Sequence, residues 1–138
     1  MITIKNAELG HFDFDRYSVN RQKWETGPKR GPLNYERYSI KIDFQNDFDK
    51  IIKYITFFVV PFDRVNEPIN CSFQYGGSQT ARLKYTGPID KNELIEDAIW
   101  ENIVDNDTLE DVFIRKIDII FMDNSKETIY ISKFVSEY

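Results

Sequence analysis

The sequence predicts an all-β chain folded as an antiparallel β-sandwich. Three observations carry this expectation. Apolar and polar residues alternate at period two along several stretches, the signature of half-buried strands. Turn-forming clusters recur roughly every 8–12 residues, the spacing of sandwich strands. The longest apolar run, Ile51 to Phe62, is β-branched and aromatic throughout, which suits a pleated strand better than a helix. A chain of 138 residues fits one domain (1–138), with an N-terminal strand region and a long Gly/Pro/basic loop over 1–37 and a sandwich body over 38–134.

The Ile51–Phe62 run organises the rest. On a strand, Ile51, Lys53, Ile55, Phe57 and Val59 point one way, and Ile52, Tyr54, Thr56, Phe58, Val60 and Phe62 the other. Only Lys53, Thr56 and Tyr54 are polar, so the strand is expected at the centre of a sheet. The stripe Phe58, Val60 and Phe62 should not be bare. Either the N-terminal segment covers it, through Phe12, Phe14 or Trp24, or a second copy does, forming a homodimer.

The other elements follow in order. Ile2 to Leu9 reads as an edge strand. His11 to Asp15 alternates, with Phe12 and Phe14 on one face and His11, Asp13 and Asp15 on the other. That trio has metal-ligating side chains, but two-residue spacing along one strand rarely converges on one ion, so a wet face is the reading. Two Gly-Pro pairs mark residues 18–34 as loop. Tyr38 to Phe44 is the clearest half-buried strand, with Tyr38, Ile40, Ile42 and Phe44 inward. Ile69 to Tyr75 alternates with Ile69, Cys71, Phe73 and Tyr75 inward, and Gly76-Gly77-Ser78 reads as its hairpin connection. Thr80 to Thr86 returns, and Gly87-Pro88 ends it. Asp90 to Ile99 fits either one short helix, with an Asp90/Glu93 cap and Leu94, Ile95, Ala98 and Ile99 at helical spacing, or an extended crossover. Trp100, Ile103 and Val104 face the core. Val112 to Met122, the turn Asp123–Lys126 and Thr128 to Phe134 form a closing hairpin.

Chemistry is sparse. The sole histidine, His11, lies near one end, no Ser-His-Asp or Cys-His set exists, and Gly76-Gly77 lacks the lysine of a phosphate loop. The expectation is no enzyme and no cofactor. The one cysteine, Cys71, forms no disulfide within the chain and reads as a small core residue. A net charge of −5 makes general nucleic-acid binding unfavourable while leaving room for a local basic patch. The N-terminus has no apolar signal-peptide core, and no run approaches the ~18 apolar residues of a membrane span, so a cytoplasmic location is expected. A domain trimmed from a longer exported protein would look the same.

Charge is split along the chain. From Arg16 to Lys41 the basic residues are Arg16, Arg21, Lys23, Lys29, Arg30, Arg37 and Lys41, against Glu25 and Glu36, and Trp24 lies among them. From Asp90 to Asp111 nine acids face Lys91 alone. Either stretch is explained by a solvated surface. The functional reading takes Trp24, Lys29 and Arg30 and the acids Glu96, Asp97, Glu101 and Asp105 as partner-binding candidates, because Trp and Arg dominate hot spots and charge steers association.

From Ile40 to Ile131 the chain resembles a family of small bacterial immunoglobulin-like domains of unknown function, found alone or attached to zinc-ribbon or membrane-anchored proteins. The resemblance rests on Ile52-Lys53-Tyr54-Ile55-Thr56-Phe57, Val59, Pro61-Phe62 and Pro68, then Ala81-Arg82-Leu83 and Thr86-Gly87-Pro88-Ile89. Trp100-Glu101-Asn102-Ile103, Ile117-Asp118-Ile119 and Met122-Asp123 complete it. Two departures stand out. Threonines are usual in the family at Phe58 and Val60, and an aromatic pair follows the Trp where Val104 and Asp105 stand here. The resemblance implies an immunoglobulin/fibronectin-III-like sandwich and says little about activity; from the missing catalytic sets and the charge stretches, the expected role is a non-catalytic protein-binding module of a bacterium or its mobile element. The alternative is a small acidic inhibitor that occupies the nucleic-acid site of a basic partner protein.

Overall fold

The computed structural model describes residues 1–14, 22–27, 29–30, 36–105 and 108–135; of 12–14, 22–23, 29–30 and 36 it describes the backbone alone. The described residues form nine strands: β1 Ile2–Phe14, β2 Gln22–Thr26, β3 Lys29–Arg30, β4 Glu36–Asn46, β5 Ile52–Asp63, β6 Ala81–Ile89, β7 Leu94–Val104, β8 Leu109–Phe121 and β9 Lys126–Phe134. All pairings are antiparallel. The first sheet has the order β2-β1-β4-β7, with the two residues of β3 added at the start of β4. The second has the order β6-β5-β8-β9. The described residues contain no α-helix and no helix long and apolar enough to cross a membrane.

The two sheets bury their facing sides against each other. β4 contributes Tyr38, Ile40, Ile42 and Phe44; β5 contributes Ile52, Ile55, Phe57 and Val59; β8 contributes Val112, Ile114, Ile117, Ile119 and Phe121. Phe44 meets Phe57 edge-to-face at 5.1 Å and Tyr85 at 5.7 Å, so the aromatic side chains of both sheets interlock at the centre. Each fully buried large side chain adds roughly 1.5–3 kcal/mol of apolar transfer free energy. Trp100, half-buried on β7, closes the side of the sandwich: its ring lies 6.0 Å from Phe57 and its Nε1–H donates to the Lys84 carbonyl of β6 at 3.0 Å.

β5 is central, as expected, with β6 on one side and β8 on the other. Its facing differs at its start, where Ile52 lies inward and Lys53 lies outward beside Tyr54. A register shift between Ile52 and Tyr54 turns Ile52 inward to join Ile55, Phe57 and Val59. Several other expectations need correction. Gly87-Pro88 does not end β6; the strand runs through this cis peptide to Ile89. The short helix allowed at 90–99 does not form. The Asp90 N–H does bond the Glu93 carboxylate at 2.8 Å, but Asn92 takes the left-handed conformation (φ 64°) and the chain continues as β7. Residues 69–75 do not form a strand, and no hairpin follows. Cys71 is buried, but Phe73–Tyr75 is a single 3₁₀ turn closed by Gly76 in the left-handed conformation, and it leaves Phe73 95% exposed.

One buried polar side chain ties the fold together. Asn46, fully buried, donates through its amide to the carbonyls of Lys50, Ile89 and Asp90 and accepts from the Phe48 N–H. It therefore joins the β4–β5 turn to the β6–β7 turn.

Candidate binding surfaces

The seven residues singled out from the sequence do not gather in one place. Trp24 sits on β2, paired with Phe12 of β1, and its ring fills the space left by Gly10, where a side chain would overlap it. Its Nε1–H donates to Glu8 at 2.6 Å, and Lys41 binds the same Glu8 at 2.9 Å with its ammonium 5.4 Å from the Trp24 ring. Lys41 also reaches Asp97 at 3.6 Å, and the Asp97 N–H donates to Asp43. Trp24 and Asp97 thus belong to one polar cluster on the outer face of the first sheet. Burial pushes the Glu8 carboxyl up, but the hydrogen bonds from Lys41 and Trp24 outweigh it and hold the group below its ordinary range. For Lys41 burial acts downward, and Glu8 overcomes it to raise the ammonium above its ordinary value. This placement corrects one expectation: Trp24 does not cover Phe58, which belongs to the other sheet. The side chains of Phe12 and Phe14 lie outside the described residues.

The acids follow β7, an edge strand with two register shifts. Asp97 (φ 59°) and Asn102 (φ 55°) mark them, both left-handed. Glu96, Asp97 and Glu101 are exposed. Bulges and charges on an edge strand block pairing with another chain, which gives these acids a structural role whatever else they do.

Asp105 lies elsewhere. With Arg37, Ser72, Phe73, Gln74 and Asn102 it lines a recess of ≈ 450 Å³ at one end of the sandwich. The turn carrying Phe73 is pinned beside it. The Ser72 N–H donates to the Ile103 carbonyl at 2.8 Å, the Ser72 hydroxyl to the Asn102 carbonyl at 2.6 Å, and the Cys71 N–H to the Ser78 carbonyl at 2.7 Å. Burial, and then the charge of Glu101, push the Tyr75 phenol up, so Glu101 borders the same end. The backbone of Lys29 and Arg30 pairs with Arg37 and Glu36, and Arg37 lines this recess; the side chains of Lys29 and Arg30 lie outside the described residues. Sequence alternation put Phe73 in the core. The signal against that was the Gly76-Gly77 pair, which permits a tight turn directly after it.

The outer face of the second sheet holds the expected apolar stripe, dressed in cations. Phe58 carries Lys116 at 4.2 Å and Arg82 at 5.6 Å; Tyr54 carries Lys84 at 4.0 Å and Lys53 at 5.7 Å; Phe62 carries Arg115 at 5.4 Å. Phe113 packs edge-to-face between Phe62 (5.9 Å) and Phe134 (5.7 Å). Phe58, Val60 and Phe62 are half-buried. Sequence reading missed this arrangement because all of the cations but Lys53 come from β6 and β8, far along the chain from the rings they approach.

Among the described residues no three His, Cys, Asp or Glu side chains gather as metal ligands. The His11 Nδ1–H donates to the Gly27 carbonyl at 2.9 Å; the side chains of Asp13 and Asp15 lie outside the described residues. Cys71 is unpaired and buried, and burial pushes its thiol up to about 11, away from the reactive thiolate. Comparison of the chain with protein-family models, curated proteins and solved structures gives no match.

Proposed function

We propose that this chain is a non-catalytic protein-binding module on an immunoglobulin/fibronectin-III-type sandwich, related to the bacterial domains it resembles. Strand order supports the assignment. Lettered A, B, C, C′, E, F and G, the strands β1, β4, β5, β6, β7, β8 and β9 divide as A-B-E against C′-C-F-G, with C′ beside C as in variable-type domains. β2 and β3 are then an insertion between A and B. A cytoplasmic location fits a chain whose single thiol is buried and unpaired.

The observation that carries the binding reading is Phe73. An aromatic ring 95% exposed on a turn held by backbone bonds has the form of an interface anchor, and the recess beside it supplies polar groups for a rim. The test compares wild-type chain with Phe73→Ala, each immobilised, against lysate of the native host. A protein retained by the wild type and lost with Phe73→Ala is the expected result. Equal retention by both removes Phe73 from the interface.

The exposed acids Glu96 and Glu101 favour a second reading, an acidic inhibitor that fills the nucleic-acid site of a basic protein. On that reading, replacing Glu96, Asp97, Glu101 and Asp105 by Lys slows association with a captured nuclease or DNA-binding protein. Envelope or scaffold proteins in the bound fraction, with association unaffected by these changes, select the first reading.

A further inference from the structure

We propose that the outer face of the sheet β6-β5-β8-β9 binds single-stranded nucleic acid. The inference is independent of Phe73, which lies on a loop at the end of the sandwich.

The first ground is a repeat along β5. Tyr54, Phe58 and Phe62 stand four residues apart on one face, roughly 13 Å from one to the next. Each ring has a cation over it: Lys84 and Lys53, Lys116 and Arg82, and Arg115. The central strand thus presents three ring–cation units in line. The second ground is charge. The chain carries 18 Lys and Arg against 23 Asp and Glu, yet these five cations share one face. The acids on its outward side are Asp111, opposite Phe62, with exposed Glu110 beside it at a register shift and paired to Arg64, and Asp118, opposite Thr56 and 3.9 Å from Lys116. Positive charge is therefore concentrated where the molecule as a whole is negative, which focuses the local field toward an anion. The third ground is open aromatic surface: Tyr130 (80% exposed) and Phe134 (46% exposed) border the face on β9.

This chemistry fits single strands better than it fits other anions. An acidic protein would use the cations and leave the rings without partners. A single strand supplies both halves, phosphates for the Lys and Arg over Tyr54, Phe58 and Phe62, and base faces for the open rings of Tyr130 and Phe134 and the guanidinium planes of Arg82 and Arg115. A duplex keeps its bases stacked and offers phosphates only. The overall charge of −5 limits the interaction to this patch and makes it sensitive to salt.

The test is fluorescence anisotropy of labelled 20-nucleotide oligo(dT) and oligo(U), titrated with the full chain at 50 and 200 mM salt. Binding should weaken roughly 20- to 50-fold between those concentrations, as three or four phosphate contacts require at a slope of about −0.7 each. Tyr130→Ala, an exposed substitution that leaves packing unchanged, should weaken binding roughly fivefold or more, the loss of one stacked base. Arg82→Ala with Lys116→Ala should weaken it further and flatten the salt dependence, with circular dichroism confirming the fold. Phe73→Ala should bind oligonucleotide as wild type does. No binding at 50 mM salt overturns the proposal, as does equal or tighter binding of a 20-base-pair duplex. Poly-glutamate bound as tightly as oligo(dT), with Tyr130→Ala silent, overturns it in favour of an acidic-protein docking face.

Discussion

Single side chains here settle more than their sequence context suggests. Asn46 sits in a polar run, Gln45-Asn46-Asp47, that reads as an ordinary turn; only the structure reveals that its amide joins two turns 43 and 44 residues apart. Asn46→Ala leaves buried carbonyls without donors and should destabilise the fold by at least about 2 kcal/mol, read as a lower urea midpoint. Asn46→Asp, which keeps the shape but removes the donors, should also destabilise it. Cys71 is buried as expected, although the alternation that suggested it does not hold: residues 69–75 form no strand and Phe73 is exposed. The Cys71 thiol should resist alkylation by iodoacetamide at pH 8 in the native state and react only when urea unfolds the chain. The Glu8–Lys41–Trp24 cluster gives a pH dependence with a definite sign. The folded-state pKa of Glu8 is depressed below 4.5, so its contribution is present above that value and is lost as pH falls through the folded one. Trp24 emission, measured in a Trp100→Phe background, should change across that acid range in the wild type and stay flat with Glu8→Gln.

At the scale of elements, regular strands were readable and irregular ones were not. Tyr38 to Phe44 keeps strict alternation and stands as expected; the β8–β9 hairpin also forms, although a register shift between Ile114 and Lys116 puts Ile114 and Ile117 on the same inward face. β7 misled for a physical reason. Ile95 and Ala98 face the core opposite Phe44 and Ile42, two residues apart on β4, but the bulge at Asp97 makes them three apart on β7. A bulge thus reproduces helical spacing in a strand. The same effect on β5 turned Ile52 inward. On β6, Gly87 lies against the Ile52 carbonyl, where a Cβ would overlap it. Gly87→Ala should therefore destabilise the protein by about 1–3 kcal/mol of overpacking, while Thr86→Ala, at an exposed neighbouring position, should change the urea midpoint little.

For the whole molecule, all-β architecture was legible because period two dominates the chain, and far-ultraviolet circular dichroism should show strand with no α-helical minimum. The candidate surfaces were less legible, because a surface is assembled from strands distant in sequence: Lys116 reaches Phe58, and Lys41 brings Trp24 and Asp97 together. Strand order has a further consequence, for the speed of folding. The two strands at the heart of the second sheet, β5 and β8, pair Asp63 with Leu109 and Ile52 with Phe121, separations of 46 (109 − 63) and 69 (121 − 52) residues. Neither strand can complete its pairings until the intervening chain, including β6 and β7 in different sheets, has been gathered. Such topologies close large loops before any contact compensates the lost entropy, and they fold in milliseconds to seconds, where helical bundles take microseconds to milliseconds. Until β8 arrives, β5 has an unpaired edge with Phe57 and Val59 exposed beside it, so the refolding yield should fall as protein concentration rises.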